Sequence, residues 1–298
     1  MVFGSTFLSR TMPFSRIPPL TLAAFFALYV IWGSTYLGIR IGVESWPPMM
    51  MAGLRFSLAG WLMLAYLCVR KYPMPNAREL GGAALLGVLM PAVGNGLVTV
   101  AEKDVSSGVA ALVIATVPLF TLLFARMFGQ KARKVEWAGI GLGVCGMVLL
   151  NMGANLKASP SGAALLLLAS AGWALGSAWS RHLAQPKGPM GSAWMMIFGG
   201  AALLLASQIY GEKLLATPSL SGWLALLYLA VFGSIIAYSA YLHLLKTVSP
   251  AAATSYAYVN PVIAVLLGVV FLGEHIGLHE MLAMSVIVAA VVLISWRR

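Results

Sequence analysis

Along this chain apolar residues come in runs of roughly 20, separated by short polar stretches, a length that suits helices crossing a hydrocarbon core of about 30 Å. Ten such runs are predicted to be helical, at about 20–40, 47–69, 80–101, 105–126, 134–151, 161–181, 189–210, 220–242, 250–272 and 277–296. The polar stretches between them are short and leave no room for a soluble domain. The predicted fold is therefore an all-α integral membrane protein with a segment 1–19 ahead of the first helix. Arg10 and Arg16 before an apolar stretch resemble the start of a signal peptide. That stretch shows no small-x-small cleavage site before polar sequence, so it is read as an uncleaved first helix.

Charge then orients the helices. With the N-terminus placed in the cytoplasm, fourteen of the 19 Lys and Arg residues fall in inside segments and four (Arg40, Lys103, Lys157 and Lys213) in outside ones; Arg55 lies within the second helix. Lys and Arg favour the cytoplasmic side, so both termini are predicted to be cytoplasmic. The acidic residues lean outward: Glu44, Glu102, Asp104, Glu212, Glu274 and Glu280 against Glu79 and Glu136 inside.

The helices repeat. Pro118 heads an apolar run that ends at Gly129, with Glu136 seven residues on; Pro261, Gly273 and Glu280 repeat the spacing. Trp32 and Arg40 correspond to Trp173 and Arg181, and Pro48-Met49 to Pro189-Met190. The unit is five helices, residues 20–151 and 161–296. An odd-numbered unit repeated in tandem inverts its orientation, which explains why the loop around Lys131, Arg133 and Lys134 is basic while its counterpart around Glu274 carries no Lys or Arg. Inverted repeats are typical of secondary transporters, with the substrate held near the midplane between the halves.

Composition agrees. The chain is 60% hydrophobic and 9% charged, against roughly 25% charged for a soluble domain. The net charge of +11 sits in short loops between apolar runs, which is a topology signal rather than a nucleic-acid footprint. Cys68 and Cys145 lie inside apolar runs, so no structural disulfide is expected.

The W32-G-S-T-Y36 stretch, the Pro47-Pro48 pair followed by Arg55-Phe56, and the two helices carrying Pro118 and Pro261, each followed by G-x6-E, together resemble the drug/metabolite transporter superfamily of the ten-helix EamA type. Within it the chain is similar to bacterial aromatic amino-acid exporters. The likeness runs from about residue 20 to 296. It implies export of amino acids or other small metabolites across a bacterial inner membrane. It also implies a central cavity lined by helices 1–4 and 6–9, with helices 5 and 10 outside it. The second repeat reads W173-A-L-G-S-A-W179, without a Gly-Ser directly after its Trp, which departs from a strict mirror of helix 1.

Helical spacing groups the polar and aromatic residues that would face such a cavity. Trp32 and Tyr36 share a face of helix 1, and Trp173 and Ser177 one of helix 6. Ser234, Tyr238 and Tyr241 form a stripe on helix 8; Tyr256 and Asn260 pair on helix 9, with Tyr258 on the adjacent face; Asn95 lies deep in helix 3. This aromatic, lightly polar set suits apolar or aromatic amino acids, whose zwitterion would meet amides and hydroxyls. The alternative for each aromatic is helix packing or the interfacial belt. Arg55 either binds a substrate carboxylate or serves as a structural brace, snorkelling outward or pairing with Glu44 or with helix-end carbonyls. Pro118 and Pro261 are either hinges or packing bends.

No Asp or Glu is placed clearly mid-span, so facilitated export, exchange and proton antiport all stay open, and a buried carboxylate for lipophilic cations, the alternative cargo, is not evident. G141-L-G-V-C-G146 follows no strand, and Gly139 and Gly143 read as a packing face. H275-I-G-L-H279 is interrupted by Gly277 and falls in a loop. No metal or cofactor is expected, no nucleophile elbow, zincin or Walker motif marks an enzyme, and the predicted partners are a small-molecule substrate and the lipid bilayer, with a monomer as the working unit.

Overall fold

The computed structural model describes residues 18–105, 110, 113–130, 133–151, 160–263 and 277–295. Sequence features around Arg10, Arg16, Lys131, Lys157, Glu274 and His275 lie outside the described residues. The described regular structure is helical: α1 Pro19–Val43, α2 Pro48–Val69, α3 Ala77–Ala101, α4 Val117–Met127, α5 Lys134–Asn151, α6 Pro160–Trp179, α7 Pro189–Ile209, α8 Leu220–Thr247, α9 from Pro250–Ala253 through 256–263, and α10 Leu278–Ser295. Six of these, α1, α2, α3, α6, α7 and α8, are long and apolar enough to cross a membrane.

Local chemistry sets the ends. Proline opens α1, α2, α6, α7 and α9, where its missing N–H is an orphan in any case. Asn76 and Glu79 form a reciprocal capping box at α3, and Ser219 and Ser249 cap α8 and α9. α2 and α7 end alike. Tyr72 N–H bonds the Leu67 carbonyl and Lys71 N–H that of Cys68; Glu212 N–H bonds Ser207 and Gly211 N–H Gln208. This paired turn needs a left-handed residue, which is Gly211 (φ 69) after α7 and Lys71 (φ 55) after α2. α8 runs five residues past its predicted end, carrying His243 within the helix.

The helices pack in matched pairs: α2 on α7, α5 on α10, α1 on α8 and α3 on α6. At Gly200 the α7 backbone comes so close to α2 that a Cβ would lie 2.6 Å from the Ser57 nitrogen, so only glycine fits. Gly139 faces α10 at Ile294, whereas Gly143 faces Tyr258 of α9, so the predicted small-residue face of α5 serves two neighbours. Phe26, Trp61, Leu168, Leu205 and Val288 point outward, as lipid-facing residues do, since lipid tails are as apolar as they are. Both α3 and α8 widen midway into a π-helical stretch, Val88–Gly96 and Leu229–Ile236. Such stretches recur at functional positions.

Candidate functional site

A cavity opens between α1, α3, α4, α6 and α9, with about 510 Å³ of unfilled space counting what opens outward. Its wall brings together Trp32 and Tyr36 of α1, Asn95 of α3, Trp173 of α6, and Tyr256 and Asn260 of α9, six of the residues singled out by helical spacing. Thr35, Ile39, Val98, Ile114 and Val117 fill in between them.

Aromatic rings close one end. Trp32 lies 4.6 Å from Tyr256 and 5.3 Å from Trp173, in both cases edge to face, and Tyr238 stands 5.8 Å from Trp173. Edge-to-face rings gain about 0.5–1.5 kcal/mol beyond their burial. Trp32 Nε1 donates to the Gly233 carbonyl, 2.9 Å, inside the α8 π stretch. Trp173 packs against Gly94, inside the α3 π stretch. Each tryptophan thus sits on the widened helix it faces, despite the altered sequence after Trp173. Trp173 Nε1 also donates to the Tyr241 hydroxyl, 3.1 Å. Ser177 donates to the Trp173 carbonyl, which leaves Tyr241 to donate to Ser177 Oγ, 2.6 Å. The three residues form a hydrogen-bonded loop on a buried floor, closed through the Trp173 backbone carbonyl.

Arg55 spans the two π stretches. It is 2% exposed. Its Nε donates to Ser234 of α8, 2.8 Å, and its Nη1 to Asn95 Oδ1 of α3, 3.3 Å. Ser234 in turn donates to the Leu229 carbonyl. Arg55 therefore neither snorkels outward nor pairs with Glu44, which is exposed. The widened backbone and two side-chain oxygens hold it inside.

Tyr258 stands away from the cavity, against Gly143. Pro118 begins α4 just past a turn at 115–116, where Thr116 bonds back to Val113. Pro261 follows a similar turn at 254–255. Both helices are interrupted upstream of the proline.

One residue escaped the sequence reading. Glu102, placed there in the outer loop, is 1% exposed, and neither carboxylate oxygen has a hydrogen-bond partner. Among the described residues no Lys or Arg nitrogen lies within 4.0 Å of that carboxylate; the ion pair at that distance is Arg133–Glu136. Arg40, Arg55 and Tyr36 act on it only electrostatically. Glu102 sits just beyond the Ala77–Ala101 span, and burial pushes its carboxyl up to about 8 while Arg40 and Arg55 pull the other way. A signal was present: Asn95, Val98 and Glu102 are spaced i, i+3, i+7 and share one face of α3. The following Lys103-Asp104 made the stretch read as solvated loop.

A helical bundle with lipid-facing walls around a polar-aromatic cavity is the architecture of a membrane carrier. The sequence profile of the EamA-like transporter family matches residues 5–152 and again residues 160–296, and the chain belongs to that family. It is similar to an uncharacterized inner membrane transporter, YedA, of Escherichia coli strain K12, with 57% identity over 95% of this chain and 93% of the relative. It is also similar to a probable amino-acid metabolite efflux pump of Salmonella typhimurium, 27% identical over 82% of this chain and 84% of that one. A solved crystal structure shares the fold with a TM-score of 0.74 at 24% identity, covering 92% of this chain and 95% of that chain.

Proposed function

We propose that this membrane transporter exports amino acids, aromatic and other apolar ones preferred, across a bacterial inner membrane by alternating access. In this reading ten helices form two inverted five-helix repeats with both termini cytoplasmic. The observation that carries it is the cavity itself. Its aromatic wall and floor fit an apolar side chain, and Asn95 and Asn260 stand where a zwitterion needs polar contact. Support for the inverted repeat comes from the paired π stretches, the matched helix contacts and the two-fold match to the family profile. With that orientation the cavity faces outward, and the Trp32, Trp173, Tyr238 and Tyr241 floor closes the cytoplasmic side. The inner-membrane assignment and the amino-acid cargo draw support from the relatives' descriptions.

The test is uptake of radiolabelled phenylalanine, tryptophan, methionine and threonine into proteoliposomes, with and without a pH gradient. Saturable uptake, competed by other amino acids, is expected. No uptake of any of the four overturns the reading. A second reading, export of lipophilic cations, is favoured by Glu102, because a buried unpaired carboxylate suits a cation. Uptake of tetraphenylphosphonium without amino-acid uptake would establish it.

A further inference from the structure

We propose that Glu102 is a binding site for the protonated amine of the transported molecule, working with Arg55 and Asn95, which receive an anionic group where the substrate has one. The proposal rests on the transporter reading above and specifies its polar subsite.

The unpartnered buried atoms near the cavity are mainly acceptors. Both Glu102 carboxylate oxygens and the Asn260 Oδ1 lack hydrogen-bond partners, at 1% and 2% residue exposure. Leaving buried acceptors unmade is costly, so these oxygens call for an occupant that donates. A protonated amine brings up to three donors and a positive charge. Glu102 shares its face of α3 with two residues of the cavity wall, Val98 one turn below and Asn95 one turn further, and acts electrostatically on Tyr36, also in the wall. The groups that face it are the charged Arg40 and the neutral Tyr36 phenol on α1 and the charged Arg55 on α2. Neither arginine closes on it: Arg40 donates instead to the Glu102 backbone carbonyl, 3.2 Å, and Arg55 to Ser234 and Asn95. A carboxylate and a guanidinium are thus held apart, each within electrostatic reach of the other, with the polar end of the cavity beside them. A zwitterion presents the complementary pair.

An α-ammonium group and a lipophilic ammonium ion carry the same chemistry, and competition separates them. Purified full-length protein in proteoliposomes at pH 8 is tested for uptake of radiolabelled phenylalanine, with phenylalanine, phenethylamine, N-acetylphenylalanine and 3-phenylpropionate as competitors. Phenylalanine and phenethylamine are expected to compete, and the two compounds lacking an amine that protonates to compete at least about tenfold more weakly, as expected for the loss of a charge-assisted hydrogen bond. Phenylalanine far stronger than phenethylamine marks an α-amino acid as the source; the reverse marks a lipophilic amine. Glu102→Gln is expected to weaken phenylalanine by about tenfold or more and to erase the preference for compounds bearing an amine, with Glu102→Asp recovering part of both. Unchanged phenylalanine affinity in Glu102→Gln overturns the assignment alone, as does equal competition by N-acetylphenylalanine in the wild type, a result that needs no variant to fold. If the wild type carries neither phenylalanine nor phenethylamine, the reading of function falls and takes this assignment with it.

Discussion

The two halves of the molecule share a scaffold and differ in chemistry. Arg40 at the end of α1 donates to the Glu102 carbonyl at the end of α3; Arg181, just past α6, donates to the Leu245 and Val248 carbonyls near the end of α8. Each brace satisfies carbonyls that a helix end leaves free. Yet the residue whose carbonyl is held is a buried glutamate in one half and a buried leucine in the other. Seven residues after the opening proline, α2 has Arg55 and α7 has Met196, both buried. The π stretch of α3 carries Asn95, which accepts from Arg55, while that of α8 contributes Gly233 and Ser234. The backbone geometry is matched on both sides; the buried Arg55 and Glu102 lie on one. The buried arginine and glutamate thus belong to α2 and the end of α3, and their counterparts in α7 and α8 are Met196 and Leu245.

Exchanging residues between the halves tests that asymmetry. The largest effect is expected from Met196→Arg, which copies Arg55 into α7 without its Ser234 and Asn95 counterparts. An unpaired charge at membrane depth costs about 2.5–3.5 kcal/mol on insertion scales, so the yield of monodisperse protein on size exclusion should collapse. The reciprocal Arg55→Met should fold but lose transport by more than tenfold, and wild-type rates would show the asymmetry to be idle. Next comes pH. Burial raises the Glu102 carboxyl to about 8, so it loses its proton as pH rises through that value; apparent affinity for phenylalanine should therefore strengthen as pH rises from 6 through 8 and still be rising at 8. In Glu102→Leu, which copies Leu245, binding should be weak and flat over that range. Tyr241→Phe opens the loop formed with Trp173 and Ser177 and leaves buried groups unpaired, a loss of about 1–3 kcal/mol to be read as a lowered melting temperature. The smallest change is expected where the two helix ends differ. Left-handed backbone is unfavourable for a residue with a Cβ by about 1–2 kcal/mol, so Lys71→Gly should raise the melting temperature slightly and Gly211→Lys should lower it.

Much of the scaffold was legible because its cause is local. Apolar run length and the prolines at 48 and 189 placed the starts of α2 and α7 to within a residue or so, and hydrophobic matching alone explains that agreement. Cavity residues such as Trp32, Tyr36, Tyr256 and Asn260 emerged from i, i+4 spacing because they share one helix face. What spacing cannot register is a change in spacing. The π stretches shift the phase of α3 and α8 midway, so the position of Ser234 beside Arg55, rather than with Tyr238 and Tyr241 alone, was not readable. Tyr258 was placed on the face of α9 adjacent to Tyr256 and Asn260, and that face turns to Gly143 of α5 rather than to the cavity. Glu102 was lost for a related reason. Its burial depends on parts of the chain distant in sequence, the end of α3 packing on α6 and α2, while its immediate neighbours Lys103 and Asp104 are exposed.

At Gly200 two helices from opposite halves meet almost backbone to backbone. Surfaces in that kind of contact resist sliding, since any shift drives a side chain into a peptide group, but they can roll about the line where they touch. In the alternating-access reading the α2–α7 seam would then serve as a fulcrum, with α1 and α6 as the arms of a seesaw and Trp32 and Trp173 near their middles. A slight roll at the pivot would lift one tryptophan off its glycine as it presses the other down, so the two sides of the floor would not open together. Because position 200 admits only glycine, that pivot would stay in place while the arms tip, without touching the cargo.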